Sequence, residues 1–186
     1  MKIISPKLDF CMKELFRHEL ILKHFLSDVL DIPVEEIKSV QLKNTFLWKR
    51  HRDRKQGILD VLLGMNNDTR INIELQIKVI KHWDRRELFY AGKLLSDELR
   101  VGEDYAGMKR CIMISILDFN LTAGEEYHNV YCLRNSKGEL FSDLLEIHIL
   151  ELAKALVGSR PEDNWIRLLN VGSTEKLDMI KTMNLG

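Results

Sequence analysis

The sequence predicts an α/β or α+β fold around one mixed sheet, and three observations carry that prediction. Apolar patterns follow one another in the order helix, strands, helix, strands. The stretch "GILDVLLGMNNDTRINIELQIKV" at 57–79 reads as two runs of β-type residues around a polar turn. The run "RCIMISILDF" at 110–119 is almost continuously apolar, as expected of a strand buried on both faces.

Taken in order, residues 5–31 carry a helical pattern. Ser5 offers a cap and Pro6 suits the first helical position. Leu8, Met12, Leu15 and Phe16, then Leu22, Phe25, Leu26, Val29 and Leu30, recur at steps of three and four, with a break expected near residues 18–19. Pro33 closes the segment. Residues 37–48 alternate as a strand does, and "KRHRDRKQG" follows as a basic loop or strand end. After the hairpin, a helical pattern returns from Trp83 to about Leu99, with Leu88, Ala91, Leu94, Leu95 and Leu99 expected on one side. Residues 100–109 contain two glycines and read as a loop or short turn. "EYHNVYCLRN" reads as a strand ended by the turn Asn135-Ser136-Lys137-Gly138. "DLLEIHILELAKAL" suits a strand, a helix, or a strand followed by a helix. The pattern weakens after Gly158.

Composition narrows the class. The chain has 186 residues, 45 % hydrophobic and 30 % charged, which fits one globular domain with at most a short appendage. Lys and Arg number 28, as do Asp and Glu, so no global field draws the protein to a polyanion, and any such site must be local. The three cysteines are far apart and without metal spacing, which suits reduced thiols in the cytosol. The first ten residues lack the long apolar run of a signal peptide, and no stretch reaches the ~18 apolar residues of a membrane span. A cytoplasmic protein is therefore expected. No glycine-rich phosphate loop, acyl-transfer signature or paired-histidine spacing is present, which argues against nucleotide-driven, acyl-transfer and zinc enzymes. His148, alone in an apolar segment, suits a satisfied core role.

The hairpin poses the chemical question. Side chains of a strand alternate between faces, so Ile71, Ile73, Leu75 and Ile77 share one face while Asn72, Glu74, Gln76 and Lys78 share the other. A turn centred near Asn67 makes partners whose numbers sum to about 134, which sets Asp60 opposite Glu74. Like charges side by side destabilise a sheet, and an unpaired buried carboxylate costs several kcal/mol. A cation between the acids, or one shared proton, relieves both problems. The bland alternative is an amphipathic hairpin with a solvated polar face. Two carboxylates suit Mg²⁺, with Mn²⁺ as a substitute, since both prefer oxygen ligands. Such an ion can acidify a bound water and polarise a phosphodiester.

At these residues the chain resembles a known group. Asp60, followed about fourteen residues later by Glu74-Leu75-Gln76, resembles the PD-(D/E)XK nuclease motif with glutamine in the lysine position. "SPKLDFCMKELF" at 5–16, "GILDVLL" at 57–63, "INIELQI" at 71–77 and "RRELFYAGKL" at 85–94 resemble the recombination-promoting nucleases and PD-(D/E)XK family transposases in order and spacing. So do "GEDYAGMKRCIMISILDF" at 102–119 and "LLEIHILELAK" at 144–154.

The resemblance covers roughly residues 5–155. It implies a restriction-endonuclease-like α/β fold, in which a mixed central sheet is flanked by helices, and Mg²⁺-dependent hydrolysis of DNA phosphodiesters. It implies a nuclease-like domain over 1–157 and a tail, 158–186, that is helical or in part disordered. Asp60 and Glu74 match the two metal-binding acids, and Gln76 matches the catalytic lysine position. An amide can orient water but carries no positive charge. Lys78, two residues on with the same facing, and Lys13, on the first helix, are the candidates for that charge. Asp9, four residues before Lys13 and on the same helical face, is the candidate third carboxylate; an exposed ion pair is the plain alternative for both. Lys49, Arg50, Arg52 and Arg54 in "KRHRDRK" are placed to grip phosphates, although such runs are usually solvated loops. Arg85 and Arg86 in "HWDRRELFY" are candidates to face the acids, or else to make structural ion pairs. Double-strand cutting would suit a symmetric homodimer. The rival expectation, of another class, is an inert nucleic-acid-binding or assembly module that retains the fold.

Overall fold

In the computed structural model, the structure describes residues 12, 14–43, 46–47, 57–58, 61–66, 68–96, 102–154 and 160–170. Residues 14–15 are helical, 16–18 turn, and helix α1 spans Glu19–Leu30, so the break expected near 18–19 is present. The helix stops where Asp31 adopts a left-handed backbone, φ 52°, and donates its N–H to the carbonyl of Ser27. A short 3₁₀ turn, Val34–Glu36, leads into strand β1, Val40–Leu42. Strands β2, Phe46–Leu47, and β3, Gly57–Ile58, pair antiparallel as a separate two-stranded ladder.

Strands β4, Val61–Met65, and β5, Thr69–Gln76, form the predicted hairpin. Val61 faces Ile73 and Met65 faces Thr69, so the pair numbers sum to 134, the register expected from the turn residues. Asn66 supplies the turn with φ 53°, a conformation asparagine tolerates, and its side chain donates to the Glu36 carbonyl. Helix α2 follows at Trp83–Ser96, then β6, Arg110–Leu117, β7, His128–Arg134, β8, Leu140–Glu151, and helix α3, Asp163–Leu169. The open stretch "DLLEIHILELAKAL" at 143–156 is thus a strand as far as Glu151, with a turn at 152–154; residues 155–156 lie outside the described residues.

The six main strands lie in the order β1-β4-β5-β6-β8-β7. β5, β6 and β8 run parallel, while β1, β4 and β7 are antiparallel to their neighbours, so the sheet is mixed. Helices cover both faces. Leu22, Phe25 and Leu26 of α1 and Trp165, Ile166 and Leu169 of α3 pack on Ile71, Ile73, Ile112 and Ile114. Trp83, Ala91 and Leu94 of α2 pack on Leu62, Met113, Ile147 and Ile149 of the opposite face. Burial on both sides explains why β6 reads as a continuous apolar run rather than an alternating one. This is the α/β restriction-endonuclease-like architecture, a mixed sheet flanked by helices. The Trp165 indole donates to Asp28 at 2.6 Å and ties α3 to α1.

Among the described residues, helix α2 departs from its expected facing at one position; Leu99 lies outside them. Leu88 is 57 % exposed, and Glu87 takes the inward place in the row Trp83, Glu87, Ala91, Leu94. His148 is buried on the α1 side, bonded through Nε2 to Glu146 at 2.6 Å and through Nδ1 to His128 at 2.9 Å. It is a satisfied core histidine. Cys111 and Cys132 are free, and burial pushes the Cys111 thiol up to about 12, far from nucleophilic chemistry. Among the described residues, no helix is long and apolar enough to cross a membrane.

Candidate active site

Alternation along β5 sends Asn72, Glu74 and Gln76 to the α2 face, opposite Met113, Ser115 and Leu117 of β6. That face is roofed by a helix, so the solvated-hairpin alternative does not hold. Asn72 is fully buried and Glu74 is 4 % exposed. A carboxylate buried this deeply needs a retained proton or a cationic partner. Arg86, on the first turns of α2, provides one: its Nη2 lies 2.8 Å from Glu74 Oε1. The same guanidinium donates through Nη1 to Gln76 Oε1 at 3.1 Å. Two oxygens of the predicted motif therefore converge on one positive charge. The other end of Gln76 is fixed as well, since its Nε2 donates to the carbonyl of Lys78 at 2.8 Å. The Arg86 guanidinium also lies over the Tyr90 ring, 5.2 Å from its centroid.

A second buried acid stands beside the first. Glu87 is 3 % exposed and accepts from the Ser115 hydroxyl at 3.0 Å. Burial, with the negative charge of Glu74 next, pushes its carboxyl up from 4.5 to about 7; Ser115 and Arg86 pull the other way. Neither residue figured in the sequence reading. Both left a trace there: Glu87 is an acid at the core position of an apolar helical row, and Ser115 is the lone polar residue inside "CIMISIL". Next along the strand, the Asn72 amide has no hydrogen-bond partner at either end among the described residues.

The predicted residues divide as follows. Glu74, Gln76 and Arg86 come together as one bonded group. Lys78 lies just past the end of β5 with an exposed side chain, and its carbonyl, not its ammonium, meets Gln76. Arg85 is exposed on the outer surface of α2, one residue from Arg86. Asp9, Lys13, Lys49, Arg50, Arg52, Arg54 and Asp60 lie outside the described residues; Asp60 immediately precedes Val61, the partner of Ile73. Among the described residues, no group of three or more His, Cys, Asp or Glu converges so as to hold a metal. Glu74 and Gln76 supply the oxygen donors that a hard cation takes, and the Arg86 guanidinium holds one oxygen of each.

The parallel-centred mixed sheet carries a buried acid on its second hairpin strand, met by an arginine from the following helix, an arrangement that fits the nuclease-like class. Comparison with family models bears on the same point: residues 6–184 match the model of the PD-(D/E)XK nuclease family transposases. The chain belongs to that family. Comparisons with curated proteins and with solved structures gave no match. The family is one of nucleases, and PD-(D/E)XK nucleases usually use a divalent metal.

Proposed function

We propose that this chain is a Mg²⁺-dependent endonuclease that hydrolyses DNA phosphodiesters. The observation that supports it best is the convergence of Glu74 and Gln76 oxygens on one cation at a buried sheet face. In this reading Asp60 and Glu74 hold the ion, with Asp9 as a third carboxylate. The chemistry such an ion supplies is the acidification of a bound water and the polarisation of a phosphodiester oxygen. Gln76 orients the attacking water through its amide, whose two ends are already anchored to Arg86 and to the Lys78 carbonyl. Lys13 or Lys78 supplies positive charge towards the transition state, where it counts most. Lys49, Arg50, Arg52, Arg54, Arg85 and Arg86 meet the DNA phosphates.

The test is nicking of supercoiled plasmid in Mg²⁺ or Mn²⁺ by wild type, Asp60→Ala and Glu74→Ala. Cleavage by wild type and its loss by a factor of at least ~100 in either variant is expected, the scale of removing a main electrostatic element. Equal cutting by Asp60→Ala refutes the assignment. A second reading has one observation in its favour: Gln76 stands where the family motif has lysine. It makes the chain an inert DNA-binding module, and binding of DNA without any metal-dependent nicking would decide for it.

A further inference from the structure

The outer surface of α2 carries a pattern that hydrolysis does not explain. Residues four apart lie about 6 Å apart along one helical face. Arg85, Phe89 and Lys93 form one such row, and Arg86 and Tyr90 form the row beside it, with His82 just before the helix. The first row is cation, aromatic ring, cation. Phe89 is 42 % exposed, and the Lys93 ammonium lies over its ring, 5.3 Å from the centroid. Tyr90 meets the ring edge-on, with centroids 5.6 Å apart. Arg85, Arg86, Phe89 and Tyr90, together with Ile80, Lys81 and His82, bound a concavity of about 490 Å³. Arg86, one of its walls, is also the residue that reaches Glu74, which links the concavity to the buried acid through one side chain.

An exposed ring flanked by cations gains little from a duplex, whose bases stack on one another. It gains from an unpaired base, which stacks on the ring while the flanking cations meet its phosphates. Asp84, exposed on the first turn, is the opposing charge on this surface, against Lys81, Arg85 and Lys93. We infer that the α2 surface binds single-stranded DNA, with a base stacked on Phe89, and so selects substrates carrying an unpaired segment next to the site. This inference rests on the nuclease reading for its biological sense and is tested without it.

The test measures binding by fluorescence anisotropy in EDTA, with the full chain, a labelled 20-nucleotide thymidine strand and a 20-base-pair duplex. Wild type is expected to bind the single strand at least about tenfold more tightly than the duplex. Phe89→Ala should lose about tenfold on the single strand and little on the duplex, and Phe89→Trp should retain single-strand affinity. Arg85→Gln should weaken both and lower the salt slope for the single strand by about 0.7. Phe89 is a surface residue, and thermal unfolding of each variant checks that the fold is kept. Equal affinity for both nucleic acids, or single-strand binding untouched by Phe89→Ala, overturns the inference even if the plasmid is cut. Conversely, Phe89-dependent strand binding with no cleavage leaves the inference standing and removes the nuclease reading.

Discussion

Glu87 is the residue whose replacement tests the electrostatics of the site most directly. It is buried beside another acid, and its folded-state value of about 7 lies above the ordinary 4.5. A group raised in this way favours the folded state fully below 4.5, and that contribution is lost as pH rises through about 7. The difference corresponds to about 3 kcal/mol at about 1.36 kcal/mol per pH unit. Some of that loss has already occurred at pH 5, where the unfolded chain is mostly ionised, which leaves about 2–3 kcal/mol to develop between pH 5 and pH 8. Glu87→Gln abolishes the titration and keeps an oxygen able to accept from the Ser115 hydroxyl. The variant should therefore gain on wild type by about 2–3 kcal/mol as pH rises from 5 to 8, a relative rise in Tm of roughly 4–12 °C for a chain of this size. Urea unfolding of both proteins at the two pH values, in EDTA so that no divalent ion intervenes, gives the comparison. Parallel stability curves would refute the argument that Glu87 sits as a buried, proton-binding acid next to Glu74.

Two further replacements probe the same face. Asn72→Leu removes an amide that has no hydrogen-bond partner among the described residues and keeps the side-chain size, so it should stabilise the fold by about 1–2 kcal/mol in urea unfolding; a loss of about 1 kcal/mol or more would mean that the amide is partnered. Gln76→Lys puts an ammonium where the amide oxygen now accepts from Arg86, and two cations at that spacing repel. It should destabilise the protein by about 1–2 kcal/mol, and Arg86→Gln in the same chain should relieve part of that loss, a coupling of about 1 kcal/mol in a double-mutant cycle.

Where the sequence spoke through periodicity, it spoke clearly. The hairpin register followed from the polar turn "MNNDT", because one slipped residue would have turned Ile71 and Ile73 away from α1. The buried strand β6 was legible in its unbroken apolar run. The facing of Glu74 and Gln76 followed from alternation alone. Three features were not legible. That the acid face is roofed, not wet, depends on where α2 crosses the sheet, a tertiary fact that local pattern does not carry. Leu88 was expected inward because it is leucine, yet Glu87 takes that place through its bond to Ser115, a residue 28 positions away. The stretch "DLLEIHILELAKAL" was ambiguous because a strand buried on both faces and a buried helix are equally apolar; its pairing with β6 decided the matter up to Glu151.

The same geometry bears on the absent lysine. A family motif lysine would bring its charge along the strand, two residues from the acid and on the same face. Here the charge beside Glu74 comes instead from the next helix, through Arg86, and the strand contributes the amide that helps hold it. A planar guanidinium can serve two oxygens at once, which an ammonium on the same strand could not do from the place of Gln76. Glutamine is then what the site requires at 76: a neutral acceptor that does not repel Arg86. With glutamine at 76, Arg86 is the cation that meets Glu74 among the described residues. The cycle of Gln76→Lys and Arg86→Gln addresses this point: if the two replacements prove additive in their effects on stability, the two cations do not exclude each other, and the exchange of one for the other is wrong.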